Sequence, residues 1–243
     1  MQRVVLWAAV VLTVGTAAYA ELPVKLDAIA PAADLVSEAQ ERIKDLTGDL
    51  LASEEAYKEN ADKVRQAASM LAVVSQAIAE HPEDSALKTA APNLRDAAIV
   101  IARADSLSAA QQGVEKLQAA VKGEATGAPV AYDWAKLTKM HPSMEEMNAR
   151  ASAMRRLLKR PKDPQTDGRH IVAIALLALA TDADTHEVKN EADLPKWREL
   201  SKELADHMSL AAKAVKSKDK DGASKHFAAG METCTRCHEI FQK

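Results

Sequence analysis

Apolar residues recur every three or four positions along most of the chain, which is the spacing of one face of an α-helix. In the first half this pattern predicts four helices, at residues 34–51, 53–79, 84–104 and 108–121. His81-Pro82 separates the second from the third, because a residue that precedes proline disfavours the helical conformation. Four amphipathic helices joined by short turns predict an up-down bundle.

The second half repeats this plan. Helices are expected at residues 142–158, 168–183 and 195–215, and from 223 onward. Between the halves, the sequence VKGEATGAPV has no helical stripe and is interrupted by glycine and proline. We therefore predict an all-α protein with two tandem four-helix bundles. Their expected bounds are 21–122 and 131–243, with a linker at 123–130.

The first twenty residues have the pattern of a signal peptide. Arg3 precedes an apolar run of 11 residues, and the tripeptide Ala-Tyr-Ala at 18–20 is the small-x-small pattern of a cleavage site. The run is shorter than the roughly 20 residues that a spanning helix needs. The other long apolar run, residues 171–180, has only 10 residues and indicates a buried helix. We expect cleavage after residue 20, export to the periplasm and no stable membrane span.

Composition and charge limit the kinds of partner that the protein can bind, and they distinguish its two halves. A net charge of −3 and an aromatic content of 3% indicate neither a basic surface nor stacking platforms, so we expect no nucleic-acid partner. Residues 21–130 hold 11 Lys+Arg against 18 Asp+Glu, whereas residues 131–243 hold 20 against 17. Both cysteines, and six of the seven methionines after residue 20, also lie in the second half. The two predicted bundles are alike in outline but differ in chemistry.

Both cysteines belong to one motif near the C-terminus, Cys234-Thr235-Arg236-Cys237-His238. The spacing C-x-x-C-H is that of covalent haem attachment, in which two thiols bond to the vinyl groups and the following imidazole binds the iron. Cys234 and His238 are four residues apart and so share one face of a helix. This attachment takes place outside the cytoplasm, which agrees with the predicted signal peptide.

Three other interpretations of the motif are weaker. A disulfide between cysteines at i and i+3 of one helix closes a strained ring. A thioredoxin-like redox pair requires a βαβ context, which the periodicity does not predict. A zinc site needs about four ligands, and no second C-x-x-C or H-x-x-x-H accompanies the motif. One covalent haem c is therefore the expected cofactor.

On these residues the second half resembles the class II c-type cytochromes, the cytochrome c-prime family, whose four-helix bundle carries one C-x-x-C-H near its C-terminus. The resemblance implies that Cys234 and Cys237 hold the haem, and that His238 is the proximal iron ligand. Phe241 matches the aromatic residue that follows in this family. Gln242 stands where the family often has a basic residue, so no proximal electrostatic role is implied. The first half resembles a family bundle without haem.

The family divides on the sixth iron ligand, which comes from the first helix of the bundle. A methionine there implies an electron carrier, whereas a non-ligating residue leaves five-coordinate iron that binds NO or CO. Met144 is the first choice and Met147 the second, since both lie early in the helix and on one face. Methionine at helical spacing also fills cores, so both outcomes stay open. Weaker candidates are Met140, His141, Met154 and the pair His207 and Met208.

A basic cluster ends the same helix, at Arg155, Arg156, Lys159, Arg160 and Lys162. It is either a solvated helix end that complements the helix dipole, or a docking patch for an acidic redox partner or for the acidic first half. Trp134 and Trp197 are expected to pack rather than to relay electrons.

The sequence therefore predicts an exported monohaem cytochrome that carries one electron to an unidentified redox protein and is not an enzyme. One alternative is a haem protein that binds NO or CO. Another is a partner-docking module, formed by the first bundle, with an accessory haem. Bundles of this class also dimerise through helix faces, which makes a homodimer a further expectation of the resemblance.

Overall fold

The computed structural model describes residues 22–242, in which all regular structure is helical. The α-helices are α1 Leu26–Ile29, α2 Ala32–Thr47, α3 Glu54–Glu80, α4 Ala91–Ala102, α5 Leu107–Val121, α6 Met140–Lys159, α7 Pro164–Ala183, α8 Leu194–Lys216 and α9 Lys220–Phe241. Short 3₁₀ helices at Asp49–Leu51, Trp134–Lys136 and Glu191–Asp193 lie in the connections. The predicted all-α class is confirmed. The predicted signal peptide, residues 1–20, lies outside the described residues.

One predicted helix start is wrong. The helix expected from residue 84 begins at Ala91, because Pro92 has no amide hydrogen and is tolerated only in a first turn. The preceding residues form a polar loop instead. Asp84 Oδ1 accepts a hydrogen bond from the Ser85 amide at 2.9 Å. Lys88 Nζ donates to the carbonyl of Glu83 at 3.2 Å.

The helices form two four-helix bundles in tandem. Helices α2 to α5 pack in succession and α5 returns to α2. Helices α6 to α9 repeat this arrangement, and α9 returns to α6. The two bundles meet where α2 and α3 pack on α6 and α7, so that a single hydrophobic core runs through both.

Two fully buried helical segments, one in α7 and one in α3, lie at the contact between the bundles. Residues 171–180 of α7 are all buried, none more than 2% exposed, because α7 packs on α6 and α8 as well as on α2 and α3. Residues 67–79 of α3 are likewise all buried. A helix that is apolar on every side needs neighbours on every side. None of the helices within residues 22–242 is long and apolar enough to cross a bilayer.

Residues 123–130 contain no helix, and the chain that follows them is fixed to the first bundle. The fully buried guanidinium of Arg95 donates to the carbonyls of Pro129 at 3.0 Å and Val130 at 3.3 Å. It also lies 4.3 Å from the ring centre of Tyr132. Trp134 is buried, as expected for a packing residue, and its Nε1 donates to Glu80 at 2.9 Å.

Candidate functional site

The C-x-x-C-H motif lies in the last two turns of α9. Cys234 and Cys237 are half-buried and are not bonded to each other, and His238 is exposed. All three residues line one pocket in the second bundle. No hydrogen bond or ion pair from the described residues reaches the His238 imidazole. The motif therefore presents two free thiols and an uncommitted imidazole to the same space.

This pocket lies between α6, α7, α8 and α9 and has about 700 Å³ of empty space, part of it open to solvent. Besides the motif, its lining consists of Met144, Met147, Asn148, Ile174, Ala178, Thr181, Leu200, Ser201, Leu204, Met231 and Thr233. Apart from the imidazole and the two thiols of the motif, none of the lining side chains has an ionisable group. The lining of the pocket thus suits an apolar ligand.

A second pocket, with about 1040 Å³ of empty space, adjoins the first and shares Met144, Cys237 and His238 with it. Its other lining residues are Met140, His141, Glu187, Lys189, Trp197, Phe241 and Gln242. The space on the motif therefore continues outward past His238. The site is open at the end of the bundle where α6 begins and α9 ends.

The structure brings together the motif and both preferred methionines. Met144 is half-buried and Met147 is 7% exposed, and both line the pocket opposite α9. Their three-residue spacing on α6 places them on one face. The geometry keeps both as candidates for the sixth ligand. It does not choose between them, so the preference for Met144 stays a prediction.

The weaker candidates lie elsewhere. Met140 and His141 line only the outer pocket, and His141 Nε2 lies 3.4 Å from Glu145. Met154 lies in a different groove, beside the α8–α9 turn. The His207 ring stacks on His226 with 5.9 Å between ring centres. Met208 is fully buried beside Gly230. None of these side chains lines the inner pocket.

Packing around the motif fixes the end of α9. The rings of Trp197 and Phe241 meet edge to face with 5.0 Å between their centres, and Trp197 Nε1 donates to the Thr181 carbonyl at 2.8 Å. Trp197 is thus a packing residue, as predicted. Arg236 Nη2 lies 2.5 Å from Glu203 of α8, and this hydrogen bond lowers the pKa of the Glu203 carboxyl. The sequence does not predict this ion pair, because Arg236 and Glu203 each have the pattern of an ordinary surface charge.

The environment of the thiols keeps them protonated. Burial, and then the neighbouring Cys237, raises the pKa of Cys234 to about 11. Burial also raises the pKa of Cys237. Redox-active dithiols have a lowered pKa, since the thiolate is the reactive form. The pair is therefore poorly suited to disulfide exchange.

Within residues 22–242, no three His, Cys, Asp or Glu side chains gather into a group that could hold a metal ion. A structural zinc ion needs about four such ligands, whereas a haem brings four ring nitrogens of its own and needs one imidazole from the chain. The donor set at the motif, two thiols and one imidazole beside a large apolar space, fits a covalently bound haem.

The basic cluster on α6 is exposed to solvent at all five positions. Among the described residues it forms no ion pair with the acidic first bundle. The ion pairs that do join the bundles come from other residues, Arg150, Arg169 and Lys216. The interpretation of this cluster as a docking patch therefore stays a prediction.

Comparison of the chain with models of known protein families, with curated proteins and with solved structures finds no match.

Proposed function

We propose that the chain is an exported c-type cytochrome that carries one electron on a single covalent haem. One observation carries the proposal. Cys234, Cys237 and His238 line the same apolar pocket as Met144 and Met147 on the facing helix. The first three match the attachment motif, and the other two offer the soft, neutral sulfur that favours ferrous iron. A bound haem c would supply an iron that exchanges one electron between its ferric and ferrous states.

Each residue then has a defined task. The thiols of Cys234 and Cys237 hold the group covalently, and the His238 imidazole orients it from the α9 side. The apolar side chains of α7 and α8, such as Ile174 and Leu204, exclude water and thereby influence the reduction potential. Among the described lining residues of the inner pocket there is no carboxylate, lysine or arginine.

The second candidate function is a haem protein that binds NO or CO on five-coordinate iron. It is favoured by the position of Met147, which belongs to the hydrophobic core and could serve there as filling alone. The two candidates differ only in whether a methionine sulfur of α6 binds the iron.

Two methionine-to-leucine variants of α6 separate these candidates. Leucine conserves volume and apolarity and removes the sulfur, so the packing should change little. We expect the oxidised wild-type protein to have the red-region methionine–iron absorption band, and Met144→Leu to lose it and to bind CO readily. Met154→Leu is the matched control, since this side chain lies outside the pocket. A high-spin wild-type protein that binds CO as readily as the Met144→Leu variant would favour the gas-binding function.

A further inference from the structure

The contact between the two bundles contains a buried ionic cluster. Glu38 of α2 is 0% exposed and Arg150 of α6 is 5% exposed. The Arg150 guanidinium donates two hydrogen bonds to the Glu38 carboxylate, from Nη2 to Oε1 at 2.5 Å and from Nη1 to Oε2 at 3.3 Å. Its Nε lies 2.6 Å from Glu146 Oε1, and Arg42 Nε lies 3.2 Å from Glu38. Two carboxylates and two guanidinium groups thus balance each other's charge in the interior.

Such a fork fixes orientation as well as distance, because the planar guanidinium matches a carboxylate in one relative geometry. Burial by itself would favour loss of the arginine proton, yet the carboxylates of Glu38 and Glu146 raise the pKa of Arg150 above its usual range. Arg150 therefore stays charged, and α6 cannot rotate or slide without separating it from Glu38 in the interior.

The cluster lies beside the part of α6 that lines the pocket with Met144 and Met147. Glu146 directly precedes Met147, and Arg150 follows Met147 by about one helical turn. A movement of α6 that displaces Arg150 from Glu38 therefore also displaces the methionines.

Helix α6 depends on the first bundle for its position. It packs chiefly on α7 and on α3 of the first bundle, and meets α9 over a small area only. A second polar contact also comes from α3, where Gln66 Nε2 donates to Glu145 at 3.2 Å, next to Met144. The motif-bearing helix thus contributes little to the placement of the residues that face it.

We propose that Glu38, in the bundle without the motif, is a positioning residue for the haem site. Through Arg150 it holds α6 so that Met144 or Met147 lies opposite His238 across the pocket. The inference rests on the proposed cytochrome function, because it concerns how a methionine sulfur is held within reach of the iron. It gives the first bundle a role in setting iron coordination.

The chain offers a matched control for this role. Lys216 of α8 pairs with Asp34 of α2 at 2.5 Å, and Asp34 is 5% exposed. This pair joins the same two bundles, involves the same helix α2 and contains no residue of α6. A merely structural effect of breaking an ion pair between the bundles should appear in both cases, whereas a positioning effect should appear only for Glu38.

The experiment compares Glu38→Gln and Lys216→Met in the full exported chain. Covalent haem per chain is measured by mass, coordination by the red-region band and CO binding, and stability by thermal unfolding. We expect both variants to keep one haem and to unfold at lower temperature. Only Glu38→Gln should lose intensity in the methionine–iron band and bind CO about tenfold more tightly, because apparent affinity scales with the fraction of iron that lacks methionine. Glu38→Asp, which keeps the charge, should restore part of the band.

The proposal is overturned if Glu38→Gln keeps the wild-type band and CO affinity, or if Lys216→Met changes them equally. A wild-type protein with haem but no methionine–iron band also overturns it. A wild-type chain without haem refutes the cytochrome function itself, which the mass measurement reports separately. Should Glu38→Gln fail to fold, Gln66→Leu removes the milder contact at Glu145. It must then shift the band in the same direction by a smaller amount.

Discussion

The last helices of the two bundles can be compared position by position from a shared feature. Each has a glycine where it crosses the preceding helix, Gly113 in α5 and Gly230 in α9. Four, seven and eight residues after Gly230 stand Cys234, Cys237 and His238. At the same steps after Gly113 stand Leu117, Ala120 and Val121. Leu117 and Ala120 are buried and Val121 is exposed. The first bundle therefore has apolar side chains at the positions where the second bundle has the two thiols and the imidazole of the motif.

The first helices of the bundles show the same relation. Glu38 and Arg42 form an i,i+4 ion pair at the seventh and eleventh residues of α2, and Glu146 and Arg150 form one at the same steps of α6. At the fifth and eighth steps, α2 has Val36 and Ala39 where α6 has Met144 and Met147. The two bundles thus share a frame and a contact surface. They differ in the few side chains that would contact a haem.

His81 of the first bundle and His238 of the second differ in the hydrogen bonds of their ring nitrogens. His81, which is 1% exposed, uses both ring nitrogens, Nε2 with the Ala30 carbonyl at 3.0 Å and Nδ1 with the Glu83 amide at 3.1 Å. His238 is exposed and has no such partner among the described residues. A histidine whose nitrogens are both engaged stabilises the fold, and one with free nitrogens is available to a ligand.

The largest effect is expected from removing the first bundle. A chain without residues 22–130 would expose the apolar faces of α6 and α7 and leave Arg150 without Glu38. We expect a loss of about 5 kcal/mol or more in unfolding free energy, because each Å² of apolar surface on α6 and α7 that returns to water costs about 25 cal/mol. Circular dichroism during heating should show no cooperative transition. A cooperative transition within a few degrees of the full chain would mean that the second bundle stands alone.

Alanine variants of His81 and His238 should have different effects, the first on the stability of the fold and the second on iron coordination. His81→Ala leaves a buried carbonyl and an amide without partners, and should cost about 1–3 kcal/mol in urea unfolding with an unchanged haem absorption spectrum. His238→Ala removes the proposed proximal ligand and should change that spectrum in the intact holoprotein. Equal spectral changes in both variants would remove the functional distinction between the bundles.

The two crossing glycines should differ in their tolerance of alanine. A Cβ at Gly113 would lie 2.5 Å from Ile101 Cγ1 and 3.1 Å from its backbone nitrogen, so Gly113→Ala should cost about 1–3 kcal/mol. At Gly230 the obstacle is the flexible Met208 Cε at 2.5 Å. There the gain in helix propensity, about 1 kcal/mol, should offset the adjustment. Urea midpoints that fall equally in both variants would contradict this.

The smallest effect concerns pH. Burial, followed by the charges of Arg150, Arg169 and Arg42, lowers the pKa of His170 on α7 to about 4, against a smaller opposing effect of Asp167. The unfolded chain takes up this proton near pH 6.5 and the folded chain only near pH 4, so stability should fall as the pH drops through that window. Screening of the partly exposed ring limits the loss to about 2 kcal/mol.

A His170→Gln variant should remove this part of the pH dependence. His186→Gln is its control, since a hydrogen bond that His186 donates to Asp184 raises the pKa of His186 and gives that residue the opposite sign. An unchanged pH profile in His170→Gln would mean that the ring is not held neutral in the folded protein.

Much of the fold follows from the sequence, because apolar periodicity and capping residues act locally. Ser53 and Ser106 cap α3 and α5 with their hydroxyl oxygens, close to the predicted starts. Pro92 marks the start of α4, whereas apolar periodicity alone places that start at residue 84. The placement of Met144 and Met147 opposite the motif also follows from helix spacing and antiparallel order.

The contact between the bundles could not be predicted in this way. Glu38 and Arg150 are 112 residues apart, and in the sequence each reads as a charge on a solvated helix face. Periodicity states which face of a helix is apolar and says nothing about which distant helix will neutralise a buried charge. The same applies to Arg95, whose partners include backbone carbonyls of the linker as well as Gln76 and Asp96.

The most direct test of the central claim is the intact mass of the exported protein. The account predicts a single species with the mass of the chain after residue 20 plus one haem, and thiols at Cys234 and Cys237 that resist alkylation. A Cys234→Ser, Cys237→Ser double variant should lack the added mass. An unmodified wild-type mass, with both thiols open to alkylation, would contradict the account.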